Sequence, residues 1–230
     1  MERVMFYCDG FNFFHGLKKT KQTDNEWQKC YWIDFVKLFQ QFIGENQSLE
    51  KVYYFSAPPP DVNQLSRQRL LFIANSFING SKFELIDGKF FRKTVKCKVC
   101  SATYITHEEK HTDVNIAITM LDDCVMDNVD TIVLVSADGD MLTPLKLINK
   151  RFPKIKIRVY FPPGNKSDAL KNYTCAWTQY KYEINEKASH STWQQQTEIS
   201  LQHHAQQHHK RRLNNNNSRK VENCLISFFL

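Results

Sequence analysis

"VLVSADGDMLTPL", residues 133–145, decides how this chain is read. With Ile132 before them, Val133, Leu134 and Val135 make a continuous apolar run, the pattern of a strand buried on both faces. The run stops at Ser136, and two carboxylates, Asp138 and Asp140, follow at once around Gly139. An apolar strand that ends in charge sets that charge at the mouth of a core. In open sheets of parallel strands, sites lie beyond the carboxyl ends of the strands.

Outward from this stretch the chain alternates. "RVMFYC", 3–8, reads as a buried strand ending at Asp9-Gly10. Residues 31–43 carry Trp32, Phe35, Val36, Phe39, Phe42 and Ile43 at helical spacing, with Asp34 in the first turn. "KVYYFSA", 51–57, is β-branched and aromatic and is stopped by three prolines. Residues 63–78 read as a helix closed by Asn79-Gly80. "KFELIDG" and "KFFRKTVKC" read as two strands joined across an Asp87-Gly88 turn. A helix over 112–126 has Thr112 as N-cap, Asp113 in its first turn, and a stripe of Val114, Ala117, Ile118, Leu121 and Val125. On that helix Asp122 and Asp123 read as a solvated face. A strand at 131–136, a helix from about 141 to 150, a strand at 154–161, a helix near 167–176 and a strand near 179–184 complete the pattern. Such alternation predicts an α/β fold, a mainly parallel sheet with helices on both faces.

The 230 residues include 17 Phe and are 42% hydrophobic, enough for one domain with a sizeable core. Residues 1–185 are expected to form that domain. From about 186 to 230 the chain passes through "WQQQ", "QHHAQQHHKRR" and "NNNN", a low-complexity tail expected to be disordered. The tail holds six Lys/Arg and three Glu, so +3 of the formal +7 charge resides there. Net charge therefore permits a polyanionic partner without identifying one. No run approaches the roughly 18 apolar residues of a membrane span, and "MERVMFYCDG" lacks signal-peptide character. With seven scattered cysteines, these features point to a cytoplasmic protein.

If the first and fourth main strands are neighbours, Asp9, Asp138 and Asp140 converge, and Asp113 joins them from its helix start. Two unit charges about 4 Å apart repel by roughly 4 kcal/mol at an effective dielectric of 20. Protonation relieves that repulsion, and so does a hard divalent cation. All-oxygen ligation suits Mg²⁺ or Mn²⁺, which activates water and stabilises a leaving oxygen on a phosphodiester. Taken singly, Asp-Gly is an ordinary turn pair and Asp113 an ordinary helix-start charge.

"YCDGFNFFHGL", "EEKHTDVNIAITMLDDC", "DTIVLVSADGDMLTPL" and "VYFPPGNKSDALKNY" together resemble the NYN domain family of the PIN-like nuclease superfamily. The ordered match spans about residues 3–176. The resemblance implies a PIN-like three-layer α/β sandwich and a Mg²⁺- or Mn²⁺-dependent endoribonuclease. By position it assigns Asp9, Asp113, Asp138 and Asp140 as the catalytic, metal-holding acids. Asn12 matches the Asn after the first acid, and Ser136 the small hydroxyl before the paired acids. Many relatives carry another acid six residues after the helix-start Asp, where this chain has Thr119. That departure keeps open a catalytically weak module that binds RNA or protein. A phosphatase with a nucleophilic Asp9 is a third reading. Its chemistry wants a second carboxylate two residues on, where this chain has Phe11.

Other residues extend the site. Arg92 and Lys93, in a stretch that mixes aromatics with Lys and Arg, are candidates to follow a phosphate backbone, with Phe90 or Phe91 stacking on bases. A solvated hairpin face is the plainer reading. Lys110 is a candidate contact for the scissile phosphate. Asn165, Lys166 and Ser167, in the turn-rich "FPPGNKS", are candidates for phosphate contact, with Ser167 alternatively an N-cap. Cys97, Cys100, His107 and His111 make C-x2-C-x6-H-x3-H, a spacing that accommodates a structural Zn²⁺. RNA is the expected partner, no membrane is involved, and a homodimer stays open.

Overall fold

A computed structural model describes residues 1–21, 33–162 and 164–173. In chain order the elements are β1 (Glu2–Asp9), α1 (Gly10–Lys21), α2 (Phe35–Gln40), β2 (Gln47–Ser56), α3 (Val62–Asn79), β3 (Phe83–Asp87), β4 (Lys89–Lys96), β5 (Thr103–Lys110), α4 (Thr112–Val125), β6 (Thr131–Val135), α5 (Leu142–Arg151), β7 (Lys156–Tyr160) and α6 (Asp168–Tyr173). Five strands form one sheet in the order β3-β2-β1-β6-β7. Every pairing within it is parallel.

The strands are apolar on both sides because both sides are covered. Along β1, Val4, Phe6 and Cys8 enter one core, while Met5 and Tyr7 enter the other. The first core includes Phe13 and Leu17 of α1, Phe35 and Phe39 of α2, and Phe72 of α3. The second includes Ile116 and Met120 of α4, Leu145 and Ile148 of α5, and Leu170 of α6. The result is the expected three-layer α/β sandwich. Phe6 and Phe39 stack with ring centroids 4.5 Å apart, and full burial of such a ring contributes about 1.5–3 kcal/mol.

Several buried polar groups tie the elements together. Asp34 caps α2 by accepting from the Lys37 N–H at 3.0 Å and also accepts from Asn79 Nδ2 at 3.0 Å. Asn75 of α3 accepts from the Phe35 N–H and donates to the Ile33 carbonyl, tying α2 to α3. Asp123 corrects the sequence reading. It is buried rather than solvated, and it accepts from the Tyr7 hydroxyl at 2.8 Å and the Tyr53 hydroxyl at 3.4 Å.

Other expectations are also revised. The helix α4 buries Thr112, Ile116, Met120, Asp123 and Cys124, while Val114, Ile118 and Val125 of the expected stripe are exposed. Its cap position is His111, at φ 76 and without a side-chain cap bond, rather than Thr112. The Asp87-Gly88 hairpin does not form. Instead β3 joins the main sheet beside β2, and β4 pairs antiparallel with β5 in a separate two-stranded ribbon. Gly88 N–H donates to the Ser56 carbonyl at 2.9 Å. A Cβ at Gly88 would lie 2.5 Å from Thr112 Oγ1, so glycine serves close packing there. The helix expected over 31–43 is described only as α2, and the strand expected near 179–184 lies outside the described residues. No described helix is long and apolar enough to cross a membrane.

Candidate active site

From the adjacent pair β1 and β6, the strand order runs outward in two directions, through β2 to β3 and through β7. Their carboxyl ends therefore flank a topological switch point, where open α/β sheets place their sites. Asp9 ends β1 and Ser136 follows β6 directly. Asp9 is only 2% exposed. Its Oδ1 accepts from the Asn12 N–H at 3.0 Å. Its Oδ2 accepts from Asn12 Nδ2 and from Ser136 Oγ, both at 2.8 Å. Ser136 Oγ accepts in turn from the Asp138 N–H at 3.0 Å, and Asp138 Oδ1 accepts from the Asp140 N–H at 2.9 Å. One hydrogen-bond chain thus runs from the end of β1 to the turn after β6. Beneath it, a Cβ on Gly10 would lie 2.4 Å from Tyr54 Cε1 and 2.5 Å from the Phe55 carbonyl oxygen, so only glycine fits.

The electrostatics show convergence from a third element. Burial pushes the Asp9 carboxyl above its ordinary value, Asp138 adds to that push, and the bonds from Asn12 and Ser136 oppose it. Asp113 is also raised, first by burial and then by Asp138, Asp9 and Asp140. A carboxyl on α4 therefore senses the carboxylates at the ends of β1 and β6. Among the described residues, no three His, Cys, Asp or Glu stand close enough to form a ready-made ligand set. The chemistry of the donors still fits a hard cation. All four are carboxylates, and Asp9 Oδ1 accepts a single recorded bond where a carboxylate oxygen can accept two.

The supporting residues divide by position. Asn12 orients Asp9 and accepts at its own carbonyl from Asn165 Nδ2 at 3.0 Å, which brings the loop after β7 to the site. Ser167 lies beside the carboxylate turn, its Oγ 3.8 Å from where a Cβ of Gly139 would stand. It also accepts from the Leu170 N–H at 3.5 Å, the capping role the sequence allowed. Lys166 is exposed in the same loop, and Lys110 is exposed at the end of β5, three residues before Asp113. Arg92 and Lys93 are exposed on β4, three and four residues out from its base. They line the ribbon, and as consecutive strand residues they project to opposite faces. Thr119 Oγ1 donates to the Asn115 carbonyl at 2.8 Å, so its hydroxyl turns back on its own helix.

The expected zinc quartet is not assembled. Cys97 follows Lys96, which pairs with Thr103, whereas His107 pairs with Arg92 four rungs away. At ~3.4 Å per residue that separation is roughly 14 Å. His111 lies at the base, its ring 5.7 Å from that of Phe91. A groove of about 600 Å³ lies between α3 and β3, lined by Leu65, Phe72, Phe77 and Leu85 among others, and none of the four carboxylates lines it.

The chain is 24% identical over 215 residues to 6-hydroxy-3-succinoylpyridine 3-monooxygenase HspA of Pseudomonas putida (strain DSM 28022 / S16). That alignment takes in 79% of this chain and 66% of the relative, just short of two thirds of its length. A crystal structure of a protein of unknown function, VPA0982 from Vibrio parahaemolyticus RIMD 2210633, covers 74% of this chain and 88% of its own. It does so at 19% identity and a TM-score of 0.44. The family model of the NYN domain, a nuclease-like family, matches residues 3–176. The carboxylates described above all lie within that span, and the chain belongs to the NYN domain family.

Proposed function

We propose that this protein is a metal-dependent endoribonuclease whose catalytic groups are Asp9, Asp113, Asp138 and Asp140. The observation that supports the reading is the hydrogen-bond chain from Asp9 through Ser136 to Asp138 and Asp140 at the switch point, with Asp9 and Asp113 both raised, first by burial and then by neighbouring carboxylates. Those four side chains would hold Mg²⁺ or Mn²⁺. When bound, such a cation supplies charge neutralisation, polarises the phosphate and lowers the pKa of water.

The rest of the chemistry belongs to the chain. Asn12 and Ser136 fix both oxygens of Asp9, so its orientation is set before substrate arrives. Asp113 enters from α4 more exposed than Asp9, and it would take the proton of the attacking water. Water oxygen bonds to phosphorus as one P–O ester bond breaks in line, leaving a phosphate monoester on one fragment and, once its oxygen takes a proton from solvent, a hydroxyl on the other. Lys110, Lys166 and Ser167 surround the edge as phosphate contacts, and Arg92 and Lys93 extend that surface along the ribbon. RNA is the polyanion this arrangement fits at family level.

A second reading has a specific support. Thr119 leaves the helix without a second acid, and its hydroxyl is spent on Asn115. A chain with this fold that binds RNA or protein with little turnover is the alternative. Labelled single-stranded and structured RNA, incubated with Mn²⁺, Mg²⁺ or EDTA, separates the two. Cation-dependent cutting by the wild type that drops at least tenfold in Asp113→Asn is the expected result. Retention of RNA in a gel shift without any cutting would favour the binding module.

A further inference from the structure

The tip of the β4–β5 ribbon has the backbone of a metal knuckle. Cys97 follows β4 directly, and 98–100 turn the chain back toward β5. The Cys97 N–H donates to the Ala102 carbonyl at 2.8 Å, and the Ser101 N–H donates to the Cys97 carbonyl at 3.0 Å. Ser101, directly after the second cysteine, stands at φ 59. That left-handed conformation costs a residue with a Cβ about 1–2 kcal/mol. The turn accepts this strain while aiming the backbone N–H groups of Cys100 and Val99 at the Cys97 sulfur. The thiolate is the form of cysteine that binds metal. Both thiols are free, and Cys100 is exposed.

Two other roles for the pair fit less well. In a dithiol redox motif of the thioredoxin type, a helix N-terminus commonly stabilises the thiolate, whereas here the pair sits on a turn between strands. A purely structural turn does not call for two cysteines. The quartet with His107 and His111 is excluded by the ribbon register given above.

We propose that Cys97 and Cys100 form a two-thiolate half-site for Zn²⁺, with its remaining two tetrahedral positions filled from outside the ribbon. The benefit is local. Most residues of β4 are exposed, and a two-stranded ribbon is marginally stable by itself. A metal at the tip joins the two strands where fraying begins, and its binding energy becomes folding energy of the ribbon. This inference is independent of the catalytic reading.

The test uses the full chain, purified reduced and titrated with Co²⁺ as a spectroscopic probe. A sulfur-to-cobalt charge-transfer band is expected, displaced by Zn²⁺. It should be lost in the Cys97→Ser/Cys100→Ser double variant and retained in Asp113→Asn. The imidazoles of the His-rich residues 203–209 offer only nitrogen and cannot produce that band. Saturation at one metal per chain would show that the chain supplies the other ligands, and saturation at one per two chains that a second ribbon tip does. Either ratio supports the half-site. Zinc affinity should fall at least tenfold in the double variant, and amide exchange over 89–106 should slow on zinc addition in the wild type alone. Absence of the band, or its persistence at full strength in the double variant, would overturn the proposal. A thermal melt confirms that the variant remains folded.

Discussion

At the amino edge of the sheet, Glu2 and Asp130 stand beside Lys156 and Arg3. At the carboxyl edge, Asp9 and Asp113 stand beside Asp138 and Asp140. The first pair of acids is satisfied. Arg3 donates to Asp130 from its backbone N–H at 2.7 Å and from its guanidinium at 3.0 and 2.8 Å. Those bonds bring the Asp130 carboxyl down to about 2. Burial pushes Glu2 up, but its bonds from Lys156, Thr131 and Gln47 outweigh that and leave it lowered. At the opposite edge the shifts are upward, and the leading influences on Asp113 are burial and three other carboxylates. Acids clip β1 to β6 and β7 at one end of the sheet, while at the other they are buried and repelled by further acids. A fold that can pair its acids with basic side chains, and does so at one edge, does not do so at the other, the edge proposed above to take a cation.

The contrast can be broken most visibly through turnover. Asp138→Asn/Asp140→Asn should reduce RNA cleavage about 10²–10³-fold, the scale of losing one charge-stabilising group. Its melting temperature should be equal to or above the wild type, since repulsion is removed. A variant that loses stability along with activity would mean these acids support the fold, as Asp130 does. A smaller effect sharpens the contrast from the ligand side. Mn²⁺ at a hundredfold excess over its dissociation constant should stabilise the wild type by about 2.7 kcal/mol. A thermal melt would show this rise, and the rise should shrink in Asp9→Asn. An identical rise in both proteins would move the cation elsewhere. The smallest effect belongs to the paired edge, where the partners are partly exposed. Asp130→Asn should cost about 0.5–1 kcal/mol near neutral pH. A carboxyl with a depressed folded pKa contributes stability above its unfolded value, ~3.9, and loses it as pH falls toward about 2. Urea melts from pH 6 down to pH 2 should therefore show the two proteins converging.

Much of this was legible in the chain. The central strands β1 and β6 are short apolar runs, and each acid ends or follows such a run or opens a helix, so strand ends and candidate site could be read together. What escaped has physical causes. The helix α1, "GFNFFHGLKKTK", begins with one glycine, carries another at Gly16, and buries only part of its aromatic content, with Phe11 and Phe14 exposed. Its buried stripe of Phe13 and Leu17 is short, and the exposed aromatics beside it mask the pattern. Asp87-Gly88 has turn chemistry, yet the glycine answers to the Thr112 side chain, a contact between residues distant in sequence. On α4 both faces are apolar, so composition alone could not tell the stripe of Val114 and Ile118 from the buried one of Ile116 and Met120. Asp123 looks like any exposed helix acid until the fold brings Tyr7 and Tyr53 to it.

The ribbon leaves the sheet at Gly88 and returns at Lys110, and Lys89 faces Lys110 directly across its base. Partners so placed in an antiparallel pair have Cα atoms only about 4.5–5.5 Å apart. The ribbon is thus a removable cassette. A short turn in place of residues 90–109 would reconnect the chain without displacing β3 or α4. By the same geometry, ribbons of other lengths could be grafted there while the carboxylate edge keeps its form.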